Sequence, residues 1–265
     1  MSEAFPRVDY HLHSVFSSDS VAPIDVLCEA AIAQGIGEIS LTEHVDFSPE
    51  DEGIGYYQPD PYLAEVERCR GKFAGRLVIK AGVELGDVHL FPAESTDALV
   101  GRDYDFALGA VHWVEHRAAF GRDYFPTAAQ PAEVAAGWVT YLAAVREAVE
   151  LGVFSVLAHF DLPKRWAGSP FVPEEHVDQI RDIIQRLIER GIGLEINTSG
   201  LRAASGETLP GLSILRWYRE LGGELLTIGS DGHRPSEVGA GFAQARALAE
   251  AAGFSRLTRY SHLRP

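Results

Sequence analysis

The chain is predicted to fold as an α/β protein built on a parallel sheet, and three observations predict it. Short apolar runs rich in Val, Ile and Leu alternate with amphipathic stretches through all 265 residues, as repeated βα units do. Several amphipathic stretches open on proline with an acidic residue soon after, and many close on glycine, at Gly35, Gly152, Gly191 and Gly222. Those are the residues that start and stop helices. No low-complexity segment, short repeat or change of pattern divides the chain, so residues 1–265 read as a single domain.

The elements follow in order. A first strand over Arg7–Tyr10 leads to a helix over Pro23–Gln34. A strand over Glu38–Thr42 precedes a helix over Pro61–Phe73, and the third strand covers Leu77–Leu85. The link over Val88–Arg102 is short and weakly helical, which interrupts the alternation. Strands over Asp105–Val111 and Val153–Ala158 flank a helix over Ala132–Leu151. A helix over Pro173–Arg190, a strand over Gly193–Ile196, a helix over Leu209–Leu221, a strand over Leu225–Ile228 and a helix over Pro235–Ala252 complete the series. The strands are short and apolar on both faces, as buried parallel strands are. Seven of them could form an open doubly wound sheet or a closed barrel, and periodicity does not choose between these.

Polar residues gather where the strands end. His11, His13 and Asp19 follow the first, His44 the second, and Glu84 ends the third. His112, His159, then Asn197 and Arg202, and finally Asp231 and His233 follow the others. In a barrel or parallel sheet these exits share one edge, where such folds build their sites. On extended chain, residues i and i+2 point the same way. His11 and His13 can therefore grip one cation, and Asp231 and His233 can face a common centre. Nine donors without thiolate suit Zn²⁺, Mn²⁺ or Fe²⁺, and they are enough for two or three ions.

Composition bounds the partners. The net charge of −15 argues against a nucleic-acid polymer, although cations in the site could still hold a small phosphorylated molecule. Cys28 and Cys69 read as buried thiols in helix stripes. The longest uncharged helical stretch, Val134–Val145, is too short to span a bilayer, and the start lacks the features of a signal peptide. A cytoplasmic protein without a membrane partner is expected. Oligomeric state is not legible.

The ordered segments "HLH" with Asp19, "TEH", "GVE", "GAVH", "LAHFD" and "SDGH" resemble the polymerase and histidinol phosphatase (PHP) superfamily. "VFSSDS", "HFDLPKRW" and "EINTSGLR" are similar to its histidinol-phosphate phosphatase branch. The resemblance implies a distorted (β/α)7 barrel with the metal site at the C-terminal ends of the strands. It implies one ion held by His11, His13, Glu84 and Asp231, and a second by His112 and His159 with Glu84 bridging. A third would be held by Asp19, His44 and His233. The implied reaction is hydrolysis of a small phosphomonoester, L-histidinol phosphate, in histidine biosynthesis.

Arg165 and Arg202 are candidates for a guanidinium clamp on phosphate, with Lys164 beside Arg165 as an alternative. Asp231 and His233 mark where the leaving oxygen would be protonated. The loop "VDFSPEDEGIGYYQPDPY", with Trp113 and Trp166, is read as the lining for the substrate's amine and imidazole; a solvated surface loop is the competing reading. Asp161 either orients an imidazole or meets the ammonium. Glu43 points away from His44 and reads either as a support behind the ligands or as structural, while His89, His116, His176 and His262 fall outside the pattern. Three rival functions stand beside the first. They are a phosphoesterase acting on nucleotides, short oligonucleotides or phosphotyrosine, a metal-binding module without activity, and a (β/α)8 amidohydrolase. The last would need a metal-bridging lysine, for which Lys80 is a poor candidate.

Overall fold

In the computed structural model, residues 5–125, 129–166 and 171–265 are described. Seven parallel strands form one sheet: β1 (Val8–Leu12), β2 (Glu38–Val45), β3 (Val78–Gly86), β4 (Phe106–Ala110), β7 (Val156–Leu157), β8 (Gly193–Asn197) and β9 (Leu226–Gly229), side by side in that order. A small antiparallel hairpin, β5 (Trp113–Val114) with β6 (Arg117–Ala118), follows β4. Helices α1 (Ile24–Ala33), α2 (Pro59–Lys72), α3 (Pro92–Leu99), α4 (Pro131–Leu151), α5 (Val177–Arg190), α6 (Leu212–Glu220) and α7 (Phe242–Ala251) supply the connections and the outer layer.

The sheet curves until its edges meet, and this settles the choice between open sheet and barrel. The end of β1 bridges the residues after β9: Asp231 N–H donates to His11 O at 2.8 Å and His13 N–H donates to Gly232 O at 3.0 Å. The Asp9 carboxylate reinforces the seam, accepting from Ser230 N–H at 2.9 Å and Ser230 Oγ–H at 2.6 Å. Curvature is also visible inside. The rings of Tyr10 on β1 and Phe106 on β4 stand 5.0 Å apart, edge to face. Three strand spacings in a flat sheet would separate them by about 14 Å. Closure by a bridge and a carboxylate, rather than by a ladder, is what distorts the barrel.

Several elements differ from their sequence expectation. Residues 88–102 hold a true helix, α3, opened by Pro92, so the alternation is unbroken there. The expected helix over 173–190 begins as a 3-10 turn, Pro173–His176, before α5. The last one divides into a 3-10 turn, Pro235–Glu237, and α7, because Gly239 and Gly241 take positive φ between them. α6 starts only at Leu212, since Leu209 is held in a backbone bridge to Asn197. β1 and β2 run further than expected and carry His11 and His44 within them, with a shift of register between Asp9 and Leu12 on β1.

α5 shows how the outer layer is fixed. Ile180, Ile183, Ile184 and Leu187 recur at helical spacing and are buried. Gly191, at φ 67°, ends the helix in the left-handed conformation. Ile184→Ala should lower stability by about 2–5 kcal/mol in equilibrium urea unfolding with an unchanged slope. A loss well under 1 kcal/mol would contradict the packing of this helix on the barrel.

Candidate metal centre

At the C-terminal mouth of the barrel Glu84 is the hub. β2 and β3 pair in a register that sets His44 beside Glu84. Glu84 Oε2 lies 3.3 Å from His11 Nε2, 3.6 Å from His13 Nε2 and 3.1 Å from His44 Nδ1. Its other oxygen, Oε1, lies 2.8 Å from His159 Nε2 and 3.5 Å from His112 Nε2. Asp231 Oδ1 stands 3.8 Å from His11 Nε2 and 3.5 Å from His13 Nε2. At the outer edge, Asp19 Oδ2 is 2.9 Å from His233 Nε2 and 3.6 Å from His44 Nε2. All nine sequence-derived donors therefore converge, and among the described residues four overlapping triads could hold an ion: His13, His44 and His233; His11, His13 and Glu84; His44, Asp46 and His112; and Glu84, His112 and His159.

These spacings fit divalent cations. Donors each 2.0–2.1 Å from a tetrahedral ion stand roughly 3.4 Å apart. His11, His13, Glu84 and Asp231 make edges of 3.3–3.8 Å. Nδ1–H of His11 donates to Glu195 Oε1 at 2.7 Å, that of His13 to Ser17 Oγ at 3.2 Å, and that of His233 to Asp231 O at 3.2 Å. Each ring is thereby turned to offer Nε2 to the basin, the arrangement typical of ligating imidazoles. Buried His13 Nε2 has no hydrogen-bond partner among the described residues, and His44 Nδ1 and His233 Nε2 stand close to Glu84 and Asp19 oxygens without hydrogen-bond geometry. Two nearby backbones are strained: His159 and Asp231 take φ of 25° and 52°.

The electrostatics describe a basin of opposed charges. Burial alone would raise the Glu84 carboxyl, but the imidazoles of His11 and His44 hold it well below the usual range. Burial likewise opposes ionisation of Asp231, and His11, His13 and Arg165 hold it low. His11 resists burial and is pushed well up by Glu195, Glu84 and Asp231, whereas burial beside His44 and His233 lowers His13 to about 3. Glu84 and Asp231 are thus kept as anions, ready to face cations.

The cationic candidates separate. Arg165 Nη2 donates to Asp231 Oδ2 at 2.8 Å and also to Ser199 Oγ, while its buried Nε has no partner among the described residues. Arg202 Nη2 donates to the main-chain oxygens of Ser230 and Asp231 at 2.9 and 3.1 Å, bracing the loop that carries Asp231. Lys164 is engaged elsewhere: its buried amine is 2.9 Å from Asp161 Oδ2 and donates to Thr208 O at 2.8 Å. It borders a separate cavity of about 440 Å³, which none of the nine donors lines. Asp161 is thus ion-paired with Lys164, while neither of its buried oxygens accepts a hydrogen bond among the described residues.

The acidic loop after β2 is pinned down. Trp113 Nε1–H donates to Asp51 Oδ2 at 2.9 Å, Tyr56 O–H to Val15 O at 3.1 Å, and Glu50 pairs with His116. The Trp166 ring is covered by the Arg122 guanidinium at 4.3 Å. Residues 167–170, next to it, lie outside the described residues. Sequence reasoning missed Glu195 and Asp87, and placed Asp46 only among the acids of the loop after the second strand. Asp87 accepts the main-chain N–H groups of His112 and Trp113, each at 2.8 Å. Buried Asp46 has an oxygen 3.8 Å from His112 Nδ1. A signal existed for two of them, since Glu195 stands two before Asn197 and Asp46 two after His44 on extended chain.

Glu43 lies behind the donors, joined to the His13 ring through Ser17. Its buried carboxylate accepts from Ser14 N–H at 3.0 Å, Ser14 Oγ–H at 2.6 Å and Ser17 Oγ–H at 2.6 Å. Ser17→Ala leaves this buried carboxylate short of a donor and should cost about 1–3 kcal/mol in denaturant unfolding of the metal-free protein. An unchanged midpoint would show that the serine does not support Glu43.

Among the described residues no helix is long and apolar enough to cross a membrane. A histidinol-phosphatase of Lactococcus lactis is 27% identical over 264 residues, 97% of this chain and 96% of its own length. A probable histidinol-phosphatase of Deinococcus radiodurans is also 27% identical, covering 97% of this chain and 98% of the relative. The crystal structure of the Lactococcus lactis histidinol phosphate phosphatase, complexed with zinc, L-histidinol and phosphate, superposes with a TM-score of 0.87 at 25% identity. That superposition covers 98% of this chain and 99% of the other. The PHP domain family matches residues 9–199, and with its donors gathered at the mouth of a seven-stranded barrel the chain belongs to that family.

Proposed function

We propose that the chain is a metal-dependent phosphomonoesterase that hydrolyses L-histidinol phosphate to L-histidinol and phosphate. The observation that carries the reading is Glu84, whose two oxygens face two different sets of imidazoles, as a carboxylate shared between two cations does. Relatives named as histidinol-phosphatases align over nearly the whole chain. In this reading His11, His13, Glu84 and Asp231 hold one ion, and Glu84, His112 and His159 a second. Asp19, His44 and His233 hold a third, and the ions are Zn²⁺, Mn²⁺ or Fe²⁺. Such ions polarise a phosphoryl group and lower the pKa of water.

The chain's own residues supply the rest. Arg165, anchored to Asp231, presents its remaining guanidinium donors to phosphate oxygens, where charge grows in the transition state. Arg202 is the second arm of the clamp; its Nη2 is held by the Asp231 loop while the other nitrogens make no hydrogen bond among the described residues. A water beside Asp231 or His233 gives a proton to the departing oxygen. Asp46 and Trp113, beside His112, receive the amine and imidazole end. The enzyme acts on a small molecule without a nucleic-acid polymer or a membrane as partner, in the cytoplasm, and residues 1–265 work as one domain.

Purified protein should carry bound divalent metal, lose activity on chelation and recover it with Zn²⁺, Mn²⁺ or Fe²⁺. Histidinol phosphate should be turned over roughly 100-fold better in kcat/KM than nucleoside monophosphates or a phosphotyrosine peptide. Equal turnover across that panel would overturn the substrate, and a nucleotide preference would favour the broader phosphoesterase. Arg165→Ala should lower kcat/KM by about 10²–10³-fold. Arg202→Ala should raise KM and lower kcat; normal kinetics in either variant would remove that arginine from the clamp.

A further inference from the structure

We propose that Glu195 is a positioning residue that sets donors of two cation groups at once. The inference rests on the reading of the basin as a metal centre but not on the identity of the substrate. Glu195 lies on β8 and is fully buried. Its Oε1 accepts Nδ1–H of His11 at 2.7 Å. Its Oε2 accepts the main-chain N–H of His159 at 2.9 Å and an amide hydrogen of Asn197 Nδ2 at 3.1 Å. One oxygen therefore aims an imidazole of the first group, and the other holds the backbone of an imidazole in the second. Glu84 joins the two groups from within the basin, and Glu195 joins them from beneath it.

The chemistry of each contact is specific. A donor bond from Nδ1 fixes the His11 tautomer that leaves Nε2 with a lone pair toward the basin. A hydrogen bond to His159 N–H holds that residue in the left-handed backbone conformation, at φ 25°, which a β-substituted residue adopts only under constraint. The network continues beyond these two. Asn197 Nδ2 also reaches Asp231 Oδ2 at 3.3 Å, and Asn197 Oδ1 accepts from Ser199 N–H at 2.9 Å and Ser199 Oγ–H at 2.6 Å. Ser199 Oγ in turn accepts from Arg165. Rotation of the Glu195 carboxylate would therefore disturb donors on both sides.

The neighbouring strand is shaped around this carboxylate. A Cβ at Gly229 on β9 would collide with both Glu195 Oε1 and the His11 Cβ, so glycine is required there for the pair to form. An ordinary core carboxylate needs donors to offset its burial. Glu195 instead has one oxygen directed to a ring whose other nitrogen is a candidate ligand.

The test uses Glu195→Gln, which keeps shape but cannot accept at both ends, and Glu195→Asp, which keeps charge but withdraws the carboxylate. Each metal-free variant is checked by far-UV circular dichroism. Each is then titrated with Zn²⁺ against a chromophoric chelator and with Co²⁺ for its visible ligand-field spectrum. The expected result is a roughly 10–100-fold loss of Zn²⁺ affinity with an altered Co²⁺ spectrum in both variants. Wild-type affinity and spectrum in folded variants would overturn the proposal. Failure of both variants to fold would overturn it too, leaving Glu195 as a core residue. Absence of histidinol phosphate turnover by the wild-type chain would sink the substrate assignment alone and leave the metal titration to be read.

Discussion

A carboxylate removed from water must meet positive charge or hydrogen-bond donors, or it will not stay ionised. Glu84 is buried at the mouth of the barrel, and everything at that end is arranged around it. Its neighbours come from β1, β2, the turn after β4 and the turn after β7. These strands stand within two places of β3 on either side, and the curvature of the sheet turns their ends toward one side chain. Barrel curvature and the charge state of Glu84 are therefore linked. The seam depends on β1 meeting the chain after β9, and that same meeting delivers Asp231 opposite His11 and His13.

Rigidity in this basin comes from a layer beneath the donors. Ser17 illustrates it: its hydroxyl donates to Glu43 and accepts from His13 Nδ1–H and from the main-chain N–H of His44. Asp87 does the same for His112 through main-chain donors, and Glu195 for His11 and His159. The rings of His11 and His13 and the main chain of His44, His112 and His159 thus have limited freedom. A cation bound there would find those donors already ordered, at a smaller cost in entropy.

Much of the centre was legible from residue order alone. His11 with His13 and Asp231 with His233 announce themselves by i, i+2 spacing at strand ends, and Glu84, His112 and His159 by following apolar runs. The helical character of 88–102 was hidden because Pro92–Leu99 buries little of its surface and shows a weak stripe. The breaks at Gly239 and Gly241 were hidden because glycine in a helical pattern is tolerated as often as it is disruptive. Lys164 and Arg165 are neighbours in sequence, but adjacent residues on a 3-10 turn point in different directions. One meets Asp161 and Thr208, the other Asp231.

What the sequence by itself determined was the alternation of elements and the chemical type of the donors, because both are local: periodicity is set within a few residues, and imidazole and carboxylate carry their chemistry wherever they stand. Only the tertiary structure decided the barrel over the open sheet, the separate partners of Arg165 and Lys164, and the bond between Glu195 and His11. Glu195 and His11 are 184 residues apart along the chain, yet 2.7 Å apart across the barrel. No local pattern encodes that distance. It exists because right-handed βα units of similar length carry the seventh strand back to the first, and the closure of the circle alone makes them neighbours.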